Sequence, residues 1–168
     1  MKTLGTKTAG TPAIDILTGI AGIAGQYDVI LSDIWGVVHN GRQHFAEACD
    51  ALAHFRKRGG TVILITNAPR PYPPVIDQLK GLGVPDGTYD AVVTSGDVTL
   101  SLIASHGMAP LHHIGPVRDF ALFDILKEQT GLNPPRVELD QADYVVCTGL
   151  FDDDHAPDFY TPAFKIVY

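Results

Sequence analysis

The sequence predicts an α/β fold built on a parallel β-sheet. Three short apolar runs, over 27–35, 60–68 and 89–96, are rich in β-branched residues and lack strict alternation. This pattern is typical of strands that are covered on both faces of a parallel sheet. A segment with helical spacing of apolar residues follows each run. The resulting β-α-β-α-β-α order favours a parallel sheet with right-handed crossovers.

The three intervening helices are predicted from their ends. The segment 45–59 ends in a basic turn that is followed by two glycines, which is a typical helix stop. The segment 73–83 begins with two prolines and ends in glycines, the usual asymmetry of a helix. The segment 97–107 supplies the third helix after the third strand.

A second small α/β unit is predicted further along the chain. It comprises an apolar run over 111–116, a helix near 118–130, a linker that contains prolines, and a further apolar run over 142–150. Its elements repeat the strand, helix, strand order of the first part. We expect it to form another α/β unit or the beginning of a separate module.

Composition excludes several classes of partner. The chain has 168 residues, of which 45% are hydrophobic, so it can bury a core. Its formal net charge of −7 argues against nucleic acid or an anionic membrane surface as a partner. No stretch reaches about 18 uninterrupted apolar residues, so no membrane span is expected. The cysteines, Cys49 and Cys147, match no metal spacing, and a reduced, cytoplasmic protein is expected.

Polar residues follow all three predicted strands of the first unit. They lie at 33–36, at 66–67 and at 94–97, and the carboxyl ends of parallel strands meet at one edge, where ligands bind. Asp33 could act at that edge or could cap a turn, and Thr66 and Asn67 could hold a phosphate oxygen or form an ordinary polar strand exit. Asp97 could position a ligand or cap the following helix.

Two of these segments resemble known motifs. The run VILSDIWGVVHNG followed by VILITNAPR is similar to motifs I and II of the haloacid dehalogenase superfamily, in its class IIA, NagD-like branch. The HNG at 39–41 resembles the flap of that branch, and 89–103 resembles its third strand and helix. The resemblance implies a three-layer Rossmann-like core with a parallel sheet and part of an α/β cap of the C2 type.

The resemblance also implies a phosphatase. Asp33 would be the nucleophile, and Mg²⁺ would be held by the Asp33 carboxylate and the backbone carbonyl of Trp35. The phosphate of a small phosphorylated metabolite would be bound by Thr66, Asn67, Gly36 and Arg70, although Arg70 could also face solvent. The second Asp of motif I, a general acid and base in relatives, is here Trp35. We therefore expect a slow or specialised phosphatase.

The family's motif III lysine and motif IV acidic pair have no convincing counterpart. Lys127 lies in a predicted helix, and the acidic segment 147–155 reads as a solvated turn of the cap. We therefore expect residues 1–109 to be the first half of a core and residues 110–168 a partial cap, as in a chain cut from a larger enzyme. The first strand would then be an exposed sheet edge, through which a homo-oligomer could form. The alternative is a non-catalytic or truncated protein that binds a phosphorylated metabolite or a partner subunit.

Overall fold

Strands and helices alternate along the chain, as the sequence predicts. The computed structural model describes residues 17–152 and 154–162, so the first 16 residues of the expected 1–109 unit and the last six of the chain lie outside the described residues. The elements are β1 (Val29–Asp33), α1 (Ala46–Lys57), β2 (Thr61–Thr66), α2 (Tyr72–Gly81), β3 (Ala91–Thr94), α3 (Ser95–His106), β4 (Leu111–Ile114), α4 (Ala121–Thr130) and β5 (Tyr144–Cys147).

The first three strands form a parallel sheet in the order β1-β2-β3. Asp33 lies opposite Ile65, and Thr66 lies opposite Thr94, so the three strands end within about one residue of each other. This register brings the polar residues that follow the strands to one edge of the sheet. Strand β1 is an edge strand of this sheet within the described residues, as the sequence predicts.

Within the described residues, helices cover only one face of this sheet, whereas the sequence favours strands covered on both faces. Val62 and Leu64 of β2 are fully buried in one cluster with side chains of α1 and α2. On the opposite face, apolar side chains are 41–63% exposed: Val29, Leu31, Ile65 and Val93. The reason is topological. The two right-handed crossovers run in the same direction, and both helices therefore pack on the same face.

A second parallel sheet pairs β4 with β5, in agreement with the second unit that the sequence predicts. Its core is a separate cluster, formed with helices α3 and α4: Leu100, Ile103, Leu111, Leu122, Phe123, Leu126 and Val146. Helix α3 thus follows β3 in the chain but packs against the second unit. No helix within the described ranges combines the length and the apolar character that a bilayer span requires.

The end of β3 resolves the two roles open to Asp97. The Thr94 hydroxyl accepts a hydrogen bond from the backbone N–H of Asp97 at 3.0 Å, and the Asp97 carboxylate accepts from the Thr94 N–H at 3.0 Å. This is a capping box, which satisfies the free N–H groups at the start of α3. The other carboxylate oxygen accepts the N–H of Tyr72 at 3.1 Å. Asp97 is therefore a helix cap that also fixes the start of α2.

Candidate active site at the carboxyl edge of the first sheet

Asp33 is the last residue of β1 and its side chain is exposed. One carboxylate oxygen accepts the backbone N–H of Ile34 at 2.6 Å, which orients the carboxylate toward the turn that follows the strand. The exposed carboxylate remains open to solvent, and a nucleophile that must meet an external substrate needs this accessibility. Asp33 also lines an apolar groove of about 590 Å³ along β1 and α1.

The loop after β1 is held together by its own backbone. The Ile34 carbonyl accepts the N–H groups of Val38 at 2.8 Å and of His39 at 3.3 Å. Gly36 has a φ of 78°, and its N–H donates to the His39 carbonyl at 2.8 Å. The left-handed conformation explains why a glycine stands there. Its N–H group is used within the loop, so the sequence-based expectation that Gly36 binds phosphate gains no support from the backbone geometry.

The indole of Trp35 lies at the surface of this loop, 63% exposed. Its ring meets the His39 imidazole edge to face, with the ring centroids 5.5 Å apart. It also covers Gly41, where an added Cβ would lie 2.5 Å from the indole Cη2 atom. The indole therefore packs against the segment 39–41, which resembles the flap of the family.

His39 is a site residue whose side chain the sequence reasoning missed. It is 3% exposed, and its Nδ1 accepts the N–H of Gly41 at 3.0 Å. Burial lowers the pKa of the His39 imidazole below its ordinary value, so the neutral ring that can accept this hydrogen bond is favoured. The only signal in the sequence was the flap-like segment at 39–41.

Three of the predicted phosphate ligands lie together. Thr66, Asn67 and Arg70 line a cavity of about 290 Å³, which we call the rim cavity; its remaining wall is Ile34, Trp35, His39, Ala68, Pro69, Val75 and Gln78. The Thr66 hydroxyl oxygen accepts the N–H of Ala68 at 3.2 Å, which leaves the hydroxyl proton free to donate. The Arg70 guanidinium donates to the Gln78 side chain at 3.4 Å.

Asp33 does not line the rim cavity, because it pairs with the residue before Thr66 on the neighbouring strand. Asp33 pairs with Ile65, the residue before Thr66, and successive strand side chains point to opposite faces. Asp33 accordingly lines the groove along β1, whereas Thr66 lines the rim cavity. Both residues lie at the carboxyl edge of the sheet, but their side chains point to opposite faces of it. The Asp33 side chain would have to rotate before its carboxylate could meet a phosphate held by Thr66.

The oxygens that the resemblance assigns to Mg²⁺ are of a suitable kind. Mg²⁺ prefers oxygen ligands and often keeps several waters, with only one or two carboxylates from the protein. Asp33 offers an exposed carboxylate, and none of the described hydrogen-bond donors reaches the Trp35 carbonyl. Among the described residues, no three His, Cys, Asp or Glu side chains are grouped to hold a metal. The described part of the chain therefore supplies a fitting but partial donor set.

The described residues of the acidic segment 147–155 include a turn at Asp154, as the sequence favours. A carboxylate oxygen of Asp152 accepts the N–H of Asp154 at 3.0 Å, and Asp153 lies outside the described residues. Lys127 lies in α4, as expected.

The model of the family "Haloacid dehalogenase-like hydrolase" matches residues 30–124. A haloacid dehalogenase-like hydrolase from Brucella suis 1330 is 45% identical and superposes with a TM-score of 0.77. The match covers 90% of this chain and 56% of that protein. The comparison with curated proteins gave no match.

Two further solved structures share the fold. A glycerol phosphate phosphatase from Mycobacterium tuberculosis, in complex with magnesium, is 26% identical over 86% of this chain and 42% of that protein, with a TM-score of 0.57. A p-nitrophenyl phosphatase from Archaeoglobus fulgidus is 18% identical over 83% of this chain and 50% of that protein, with a TM-score of 0.59. The chain thus spans about half the length of these proteins. On its sequence and its fold, the chain belongs to the haloacid dehalogenase-like hydrolases.

Proposed function

We propose that this chain carries the phosphoryl-binding part of a phosphatase, a phosphoric-ester hydrolase, with Asp33 as nucleophile. The observation that carries the proposal is that β1 and β2 end side by side, so the exposed carboxylate of Asp33 lies at the same carboxyl edge of the sheet as the rim cavity. Among the structures with this fold are a p-nitrophenyl phosphatase and a glycerol phosphate phosphatase. Residues 1–109 would form the first half of the core, and residues 110–168 would form part of the cap.

In the proposed reaction, the Asp33 side chain rotates toward the rim cavity, and one carboxylate oxygen forms a bond to phosphorus as the ester bond breaks. The leaving oxygen takes its proton from solvent, because the indole of Trp35 is a hydrogen-bond donor that does not exchange a proton at neutral pH. Water then attacks the aspartyl-phosphate and releases inorganic phosphate. Thr66 donates its hydroxyl proton to a phosphoryl oxygen, and Arg70 balances the charge of the phosphate.

Mg²⁺ is part of the proposal, and one relative was solved in complex with magnesium. The Asp33 carboxylate and the Trp35 carbonyl would hold the ion. When bound, it neutralises charge on the transferring phosphoryl group. The free thiols of Cys49 and Cys147 support a reducing compartment, and we place the protein in the cytoplasm.

A covalent labelling experiment tests the nucleophile. The chain is mixed with Mg²⁺ and p-nitrophenyl phosphate, quenched in acid and examined by peptide mass spectrometry. We expect phosphate on the peptide that contains Asp33 and none in the Asp33→Asn variant. The matched control is Asp28→Asn, an exposed carboxylate just before β1, which should label as the original chain does. Labelling that persists in Asp33→Asn would overturn the assignment.

A second candidate function is favoured by two observations. Asp33 and Thr66 line different cavities, and the position of the general acid holds an indole. A non-catalytic protein that binds a phosphorylated metabolite or a partner subunit would show both features. Such a protein would bind inorganic phosphate in calorimetry but would give no labelled Asp33 peptide.

A further inference from the structure

A second cavity lies between the two units of the chain, and we call it the junction cavity. It has a volume of about 510 Å³, and its wall is formed by Pro69, Arg70, Arg118, Asp119, Thr148, Gly149 and Leu150. Pro69 and Arg70 also line the rim cavity, so the two cavities adjoin at the loop after β2. A ligand bound in the rim cavity could therefore extend directly into the junction cavity.

Two arginines from different units face the junction cavity. Arg70 follows β2 of the first sheet, and Arg118 lies in the turn between β4 and α4. Neither guanidinium forms an ion pair with any described residue, and Arg118 makes no side-chain hydrogen bond to one. Asp119 is the one carboxylate in the wall, and it is 4% exposed. Two guanidinium groups against one carboxylate leave a net positive charge, although the whole chain carries a net charge of −7.

Unpaired arginines in a concave site are suited to an anion. A guanidinium presents its donors in a planar fork that fits a carboxylate or a phosphate with two parallel hydrogen bonds. The cavity size is within the range of small-molecule sites. Thr66 does not line the junction cavity, so an anion there would be a different group from the phosphate at the sheet edge.

We propose that the junction cavity binds a second anionic group of the substrate, held by Arg118 of the second unit together with Arg70. The substrate class would then be a phosphomonoester whose leaving group itself carries a carboxylate or a phosphate. This inference rests on the proposed function, which assigns the transferred phosphate to the neighbouring rim. A carboxylate and a phosphate offer the guanidinium the same oxygen acceptors.

Binding measurements on the whole chain test the inference without requiring turnover. Titration calorimetry compares 3-phosphoglycerate with glycerol 3-phosphate, and fructose 1,6-bisphosphate with fructose 6-phosphate. Within each pair the second anion should lower Kd by about tenfold, the effect of one hydrogen-bonded charge. The first pair tests a carboxylate and the second pair tests a phosphate, so their ratios show which anion the cavity prefers.

Variants of Arg118 assign the effect to the cavity. Arg118→Gln should remove the preference within each pair while leaving the Kd of glycerol 3-phosphate unchanged within about twofold, since that ligand has no second anion. Arg118→Lys keeps the charge but not the planar fork, so its preference should be intermediate. The matched control is Arg58→Gln, which removes an exposed guanidinium at the end of α1 and should keep the full preference. Thermal melts confirm that each variant is folded.

The outcomes separate this inference from the proposed function. Equal binding within both pairs, or an Arg58→Gln variant that loses as much preference as Arg118→Gln, would overturn the junction site, while labelling of Asp33 would still support the phosphatase. A clear preference that depends on Arg118, without labelling of Asp33, would support the anion site and refute the catalytic proposal. Absence of binding by all four compounds would also overturn the junction site, and labelling of Asp33 would still decide the phosphatase separately.

Discussion

By its resemblance to motif I, Trp35 is predicted to stand where an acid would protonate the leaving group, and this residue determines the chemistry that we expect. We predict that Trp35→Asp increases turnover of an alkyl phosphate such as glycerol 3-phosphate. General acid catalysis is worth about 10²–10⁴ in rate, and an alkoxide leaving group needs a proton. Turnover of p-nitrophenyl phosphate should change far less, because nitrophenolate leaves without protonation. Steady-state rates for the two substrates measure the effect.

The control for Trp35→Asp is Trp35→Phe, which removes the indole without supplying an acid. We expect Trp35→Phe to leave the ratio of the two turnover rates unchanged. If Trp35→Asp also leaves that ratio unchanged, the indole is not what limits the reaction, and the interpretation of position 35 is wrong.

Gly41 supports the indole of Trp35, and replacing it should move that ring. Gly41 has a φ of 82°, and Gly59 has a φ of 92° with no atom near an added Cβ. We predict that alanine at either position lowers the free energy of unfolding by roughly 1–2 kcal/mol, the cost of a left-handed backbone. Only Gly41→Ala should change the fluorescence spectrum of the protein's one tryptophan, because its Cβ displaces the indole.

Urea unfolding and emission spectra test these Gly41 and Gly59 variants. Gly81→Ala is the control, because Gly81 ends α2 without a left-handed φ and without a neighbouring atom. It should not destabilise the protein. An emission spectrum of Gly41→Ala identical to that of the original chain would contradict the packing described here.

At the scale of elements, Asp90, which directly precedes β3, accepts hydrogen bonds from helix α1 and from strand β2. Its carboxylate accepts from the Arg56 guanidinium at 2.5 Å and from the Val62 N–H at 2.8 Å. These two hydrogen bonds hold the pKa of the Asp90 carboxyl below its ordinary value. A depressed pKa in the folded state stabilises the protein above the unfolded pKa of about 4, and the contribution is lost as the pH falls through the folded value.

We therefore predict a pH-dependent effect of Asp90→Asn. The variant should unfold at a lower urea concentration than the original chain near neutral pH, and the difference should shrink as the pH falls below about 4. Asp77→Asn removes an exposed carboxylate of α2 and controls for net charge. A difference between Asp90→Asn and the original chain that stays constant from neutral to acidic pH would show that the carboxylate is not held as described.

The strands and helices could be predicted from the sequence because each follows from local periodicity and end signals. The strands and α-helices of the described residues lie within or beside the predicted segments, including β5 over Tyr144–Cys147. The side of the sheet edge on which Asp33 lies could not be predicted in this way. It depends on a register in which Asp33 pairs with Ile65, and a shift of one residue would reverse the side chain.

The pairing of Arg118 with Arg70 in one cavity could not be predicted from the sequence either. Arg118 follows the end of β4 by four residues, so the rule that ligands bind beyond strand ends could have identified it. Its partner across the cavity, Arg70, is 48 positions earlier in the chain. Only the packing of the two units brings them to one cavity, and that packing has no local signature in the sequence. The boundary at residue 109 stays a prediction for the same reason, since α3 packs against the second unit.

At the scale of the whole molecule, the open face of the first sheet exposes several large apolar side chains among the described residues. Leu31 is 63% exposed on β1, which has no partner strand on one side within the described residues. The groove beside β1 has a volume of about 590 Å³ and is lined mainly by apolar residues. Exposed apolar edges promote pairing with other chains. We therefore propose that this 168-residue chain self-associates through β1 and its open face.

The corresponding prediction is that Leu31→Lys dissociates these assemblies. A lysine on an edge strand opposes pairing because its charge would be buried against another strand. Size-exclusion chromatography with light scattering should give the original chain a mass above 18.1 kDa that rises with concentration, and should give Leu31→Lys a mass of 18.1 kDa. Val117→Lys is the control, since Val117 is 76% exposed but lies in the second unit. A monomeric original chain at every concentration, or equal dissociation by Val117→Lys, would mean that this edge does not mediate association.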